Sequence, residues 1–100
     1  MNHQLVLQFR DAHLNAIVAA EDALIAHLGK SVEVDGHDFG WNEANIFVLT
    51  NEPAKTFQKA FELLAANPSF PKIDKAATRL LDADDYTVLW PLGETAFQIT

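Results

Sequence analysis

Cysteine is absent from this 100-residue chain, so disulfides and thiolate metal centres are excluded, and a reducing cytoplasm is the expected setting. Glycine is scarce too. The four glycines are isolated from one another, which leaves no Gly-rich phosphate cradle and no dinucleotide fingerprint. Only Ser31 and Ser69 could serve as serine nucleophiles, and neither lies in a nucleophile elbow. Positive charge is in short supply, with 7 Lys and Arg against 14 Asp and Glu, a formal net charge of -7. Nucleic acid is therefore an unsuitable partner, because its phosphates demand basic side chains. The longest strongly apolar run, Ile46 to Leu49, suits a strand and is far too short for a membrane span.

What remains is enough for one α+β domain over residues 1–100. Nearly half the residues are apolar, at 49%. A chain of this length buries roughly 60–65% of its exposable surface on folding, which a modest core can sustain. The charges are unevenly spread. No Lys or Arg lies between Lys30 and Lys55, whereas Lys55, Lys59, Lys72, Lys75 and Arg79 cluster in the third quarter. The result is a mildly basic flank and a larger acidic remainder. The acidic side serves solubility or docks a basic protein partner.

Periodicity sets the elements. From Gln4 to Phe9, Leu5, Leu7 and Phe9 alternate with Gln4, Val6 and Gln8, as in a strand with one buried face. Asp11 can cap the helix next in the chain. Between Ala12 and Leu28 the period becomes helical, with Leu14, Ile17, Val18, Leu24, Ile25 and Leu28 on one stripe and Gly29 as a left-handed stop. Val32 to Asp35 and Ala44 to Thr50 read as two strands joined by a long loop, Gly36 to Glu43. Pro53 opens a second helix, on which Ala54, Phe57, Phe61, Leu64 and Ala65 share a face, and Asn67-Pro68 closes it. Lys72 to Ala77 suggests a further short helical stretch. Thr78 to Leu81 and Tyr86 to Trp90 flank acidic turn residues and suggest a closing hairpin, while Thr95 to Ile99 reads as an edge strand or a packed tail.

This order predicts a ferredoxin-like βαββαβ sandwich, with two helices on one face of an antiparallel sheet and an extra C-terminal hairpin. The alternative is another α+β layer with the same elements in a different strand order. On the third strand Ile46 and Val48 oppose Phe47 and Leu49, both pairs apolar, so the second sheet face also needs a cover. Either the C-terminal segment or a second copy of the chain, in a homodimer, would supply it.

Five positions stand out as candidate functional residues. Glu21 falls, at about 100° per residue, in the middle of the first helix's apolar stripe. A carboxylate there must find a donor, stay protonated or reach past the core. It is either a tuned group lining a cleft or a Glu hydrogen-bonded to backbone or to a His, Trp or Arg. Asp35, His37, Asp38 and Trp41 concentrate in one predicted loop, where oxygen and imidazole groups could hold a divalent metal or contact a ligand. No second cluster accompanies them, and Asp and Gly are ordinary turn residues, so no metal or cofactor is assigned. Asp82 to Asp85 lacks the later Gly and Glu of a calcium loop. His3, His13 and His27 read as boundary residues.

Two family resemblances can be stated. Arg10 and Asn45 occupy places loosely similar to the Arg and Asn of acylphosphatases, but Leu5 to Phe9 stands where that family has a Gly-rich cradle. Acyl-phosphate hydrolysis is therefore not expected. Glu33 to Asp38, Asn45 to Thr50 and Tyr86 to Pro91 resemble runs in small bacterial proteins catalogued as hypothetical. That resemblance implies a free-standing bacterial cytoplasmic protein and lends no functional residue. The resulting expectation is a non-catalytic binding or interaction module, either immunity-type or a small-ligand regulator. The alternative is a small enzyme using Glu21 or His37 as acid or base.

Overall fold

The computed structural model describes residues 1–99. Its elements are β1 (His3–Arg10), α1 (Leu14–Leu28), β2 (Glu33–Gly40), β3 (Glu43–Thr50), α2 (Pro53–Ala65), β4 (Lys75–Leu80) and β5 (Thr87–Trp90), with a short 3-10 turn at Gly29–Ser31. The five strands form one antiparallel sheet in the order β2-β3-β1-β4-β5. Both helices pack against one sheet face.

That face reflects the alternation in β1. Leu5, Leu7 and Phe9 are fully buried and meet Val48, Ile46 and Ala44 across the β1–β3 register. Above them lie Ile17, Ala20, Leu24 and Leu28 of α1, and Ala60 and Leu64 of α2. Gly29 ends α1 with φ 77°, a left-handed value that an L side chain would oppose. Pro53 occupies the first turn of α2, where its missing N–H leaves no bond unmade.

Several local expectations are corrected. Asp11 does not cap α1. It takes φ 54°, and its backbone N–H donates to Asn42 O at 3.2 Å, tying the end of β1 to the β2–β3 turn. The N-cap position falls to His13, without a side-chain bond. The long loop Gly36 to Glu43 is absent, because β2 continues to Gly40 and only Trp41 and Asn42 turn the chain. Asn42 takes φ 55°, a left-handed value that Asn tolerates. Within β2, Val34 pairs with Val48 and Gly36 with Phe47, so Asp35 is an extra residue at a bulge, and Gly36 accommodates φ 118°. The broken alternation of Asp35-Gly36-His37-Asp38 is the sequence trace of that bulge.

Lys72 to Ala77 is not helical either. Lys75 to Leu80 pairs with β1 on one side and with β5 on the other. Ala76 and Ala77 favour helix intrinsically, yet a central strand covered on both faces suits such small side chains. The closing hairpin is present, with its first strand starting earlier than its β-prone residues suggest.

The second sheet face is covered over β1 and β4 by the C-terminal segment. Residues 95–99 form no strand and lie as a tail. Gln98 O accepts a hydrogen bond from Gln8 Nε2 at 3.1 Å, Ala96 O accepts one from Lys75 Nζ at 3.4 Å, and the Phe97 ring rests 5.0 Å from that of Tyr86. Val6, between Gln4 and Gln8 on that face, is fully buried. Phe47 and Leu49 on β3 are only half-buried.

Burial sorts the expected costs of truncation. Phe9→Ala should destabilise the protein by roughly 3–5 kcal/mol, by lost transfer energy and a residual cavity. Ile25→Ala, on the exposed side of α1, should cost less than about 0.5 kcal/mol. Urea denaturation of the two variants measures the contrast.

Candidate functional site

The α1 stripe divides in two. Ile17, Ala20, Leu24 and Leu28 point into the core, whereas Leu14, Val18 and Ile25 are exposed. By helical rotation Leu14, Val18, Glu21 and Ile25 lie in one row, offset from the buried row toward β2. Glu21 is thus central to the apolar stripe as counted, but lies at the border of the core and not inside it. Its carboxylate meets His37 Nδ1 at 3.1 Å, with side chains 16% and 28% exposed respectively. Two candidates far apart in sequence are brought together, and the contact ties α1 to strand β2. Neither residue lines any of five surface clefts among the described residues.

The other candidates disperse around that contact. His37 packs edge-on against Phe39, with ring centroids 5.9 Å apart. Asp35 projects from the bulge and is exposed, and Trp41, at the turn, is 85% exposed. Asp38 lies on the opposite sheet face from His37, being one residue further along the strand. Its Oδ1 accepts a hydrogen bond from Asn45 Nδ2 at 3.0 Å. Among the described residues, no three His, Asp or Glu side chains are grouped to hold a metal ion. No helix among them is long and apolar enough to cross a membrane.

Asn45 and Gln8 form a buried amide chain that sequence reasoning passed over. Both are shielded from solvent, at 0% and 1% exposure. Asn45 Nδ2 donates to Asp38 Oδ1 and, at 3.3 Å, to Glu43 Oε2, while its Oδ1 accepts from Gln8 Nε2 at 3.2 Å. Gln8 Nε2 passes the chain on to Gln98 O. Strand register explains the arrangement, since Gln8, Asn45 and Asp38 are aligned neighbours across β1, β3 and β2. The available signal was a polar residue recurring on the minority face of otherwise apolar strands. The two acylphosphatase-like positions are occupied otherwise. Arg10 Nε pairs with Asp74 Oδ2 at 2.9 Å, and Asn45 is spent on this chain.

Known proteins offer no template. The chain matches no family model, no curated protein and no solved structure. Functional information therefore resides in its own surfaces.

Three of them are notable. Along α1 and β2, the exposed Leu14, Val18, Ile25, Phe39 and Trp41 accompany the exposed acids Glu33, Asp35 and Asp38 on a strand whose outer edge has no neighbouring strand among the described residues. On the far side of the sheet, a cleft of about 270 Å³ beside the tail is lined by Gln8, Arg10, Glu43, Lys75 and residues 96–98. Between α2 and β5, a cleft of about 390 Å³ is lined by Phe61, Leu64, Ala65, Lys72, Ile73 and Trp90.

Glu94 holds the tail's base. Its carboxyl sits below the usual carboxylate range, chiefly because it accepts the Ala96 N–H, then through the Lys75 charge and the Thr95 N–H. A lowered folded-state value stabilises above the ordinary carboxylate range and is lost as pH falls through the lowered value. Acidification should therefore loosen the tail, visible as loss of the Tyr86–Phe97 ring-current shifts in NMR spectra, and Glu94→Gln should remove that pH dependence.

The two polar contacts should differ in weight. Asn45→Ala removes one hydrogen-bond partner each from Asp38, Glu43 and Gln8 and should cost about 1–3 kcal/mol. Glu21→Gln, at a partly solvated pair, should cost less than about 1 kcal/mol. Equilibrium denaturation of both single variants decides the order.

Proposed function

We propose that this protein is a non-catalytic interaction module that binds an extended, basic segment of a partner protein along the free edge of β2. The single observation that carries the reading is what meets at one sheet edge: a strand without an outer partner among the described residues, the carboxylates of Glu33 and Asp38 on one face of it, and the apolar row of α1 with Phe39 on the other. An edge strand offers backbone N–H and C=O groups to an added strand, and the pockets beside it read alternate side chains. Leu14, Val18, Ile25 and Phe39 provide the apolar ground for such a segment. Glu33, Asp35 and Asp38 select positive charge, in a stretch without Lys or Arg from residue 31 to 54.

A second copy fits this edge less well. Two β2 strands paired edge to edge would bring their carboxylates together, and like charges across a strand pair are unfavourable. The bulge at Asp35 also bends the edge away from regular self-pairing. An immunity-type protein that blocks a basic toxin is one concrete form of this reading. We place it in the bacterial cytoplasm, on the resemblance noted from the sequence.

The fold assignment that accompanies this proposal is ferredoxin-like. Its support is the order β2-β3-β1-β4, which two interleaved βαβ units produce, with β5 added outside β4. The runner-up function is acid–base catalysis by Glu21 or His37. The pair exists, but neither residue lines any of the described clefts in which a substrate would be enclosed.

The test uses synthetic peptides that alternate Lys with Val, against the same peptide with Glu for Lys. The basic peptide should shift the NMR amide signals of residues 33–40 and the methyl signals of Leu14, Val18 and Ile25. A double Asp35→Lys, Asp38→Lys variant should weaken binding at least about tenfold. Equal binding of the acidic peptide, or a dimeric mass by light scattering that Asp35→Lys disrupts, would overturn the proposal.

A further inference from the structure

The cleft between α2 and β5 has a different chemistry. Leu64 and Ile73 form its buried floor, at 3% and 8% exposure, and the rings of Phe61 and Trp90 form a wall, with centroids 4.9 Å apart. Its volume of about 390 Å³ falls within the range of small-molecule sites. Lys72 is the one charged residue on its lining.

Lys72 has no partner among the described residues. The chain has twice as many acids as bases, and Lys55, Lys75 and Arg10 each pair with a carboxylate, while Arg79 binds backbone carbonyls and Gln4. Among the described residues, none forms an ion pair or hydrogen bond with Lys72. Lys30 and Lys59 share that lack, but neither adjoins this aromatic wall. An apolar hollow with a single unpaired ammonium suits a molecule that is apolar at one end and anionic at the other.

Phe61 and Trp90 also line a second hollow, of about 280 Å³, together with Ala54, Phe57, Gln58 and Glu62. Its charged residue is Glu62, which would repel an anion. The two hollows together give the cleft a direction, with negative charge admitted at Lys72 and refused at Glu62.

We propose that this cleft binds a small amphipathic monocarboxylate. Its hydrocarbon body lies on Phe61, Leu64, Ile73 and Trp90, and its carboxylate meets the Lys72 ammonium. Burial of the hydrocarbon supplies most of the affinity, and the cation supplies selectivity. The inference does not rest on the β2 edge and can fail or hold independently of it.

The chain has two tryptophans, and the other one, Trp41, is distant in the fold, at the β2–β3 turn. A Trp41→Phe protein therefore leaves Trp90 as the sole indole reporter. Octanoate, below its micelle concentration, should change Trp90 fluorescence saturably and shift the NMR methyl signals of Leu64 and Ile73. Lys72→Ala, a surface change, should weaken octanoate about fivefold and leave octanol unaffected. Octylamine should bind more weakly than either. The proposal is overturned by an unsaturable or absent Trp90 response, or by equal loss of octanoate and octanol in Lys72→Ala. A response that tracks protein concentration alone overturns it too, since a second copy would then fill the cleft.

Discussion

Burial of strand β1 on both faces is the constraint on which the remaining structure depends. Leu5, Leu7 and Phe9 need a cover on one side, and α1 and α2 supply it together. Val6 and Gln8 are equally inaccessible on the other side, where Gln8 is bonded to the C-terminal tail. A central strand covered by helices on one side and by a non-helical tail on the other has no face left for solvent. Function is thereby displaced to the sheet's edges and the outer surfaces of the helices.

The polar groups on the tail side fit that account. A buried amide costs free energy unless its hydrogen bonds are made inside the protein. Gln8 and Asn45 meet the requirement through one continuous chain from Asp38 and Glu43 to the backbone of Gln98. This chain also aligns three strands and the tail, since a slip of one residue would point its members to the opposite face. Its place in the molecule is structural, and it fixes Asp38 through one oxygen while the carboxylate stays exposed.

Two surfaces are left with more apolar character than the core required. One lies along α1 beside the acidic edge of β2, and the other is the aromatic cleft between α2 and β5. They sit at opposite margins of the sheet, since β2 and β5 are its two edge strands. Their charges are opposite as well, acidic carboxylates at one margin and Lys72 at the other. A module that binds a basic segment at one edge and a carboxylate-bearing molecule at the other is compatible with this geometry.

Much of the local structure was legible in the residues themselves. The alternation of Leu5, Leu7 and Phe9, the glycine stop at Gly29 and the proline start at Pro53 are short-range signals that hold wherever the segment is placed. They determined two helices, the strands β1 and β3, and the α+β class. Other features depended on neighbours that no local pattern contains. Ala76 and Ala77 became strand because β1 and β5 lie on either side of them. The segment from Asp35 to Gly40 became an edge strand because β3 offered it partners, with a bulge absorbing its irregular pattern. Periodicity placed Glu21 in the apolar stripe, but only the packing of α1 on the sheet decided which half of that stripe met the core. The same packing brought His37 within reach of Glu21. A helical period specifies which residues share a face, and tertiary contact alone specifies what that face touches.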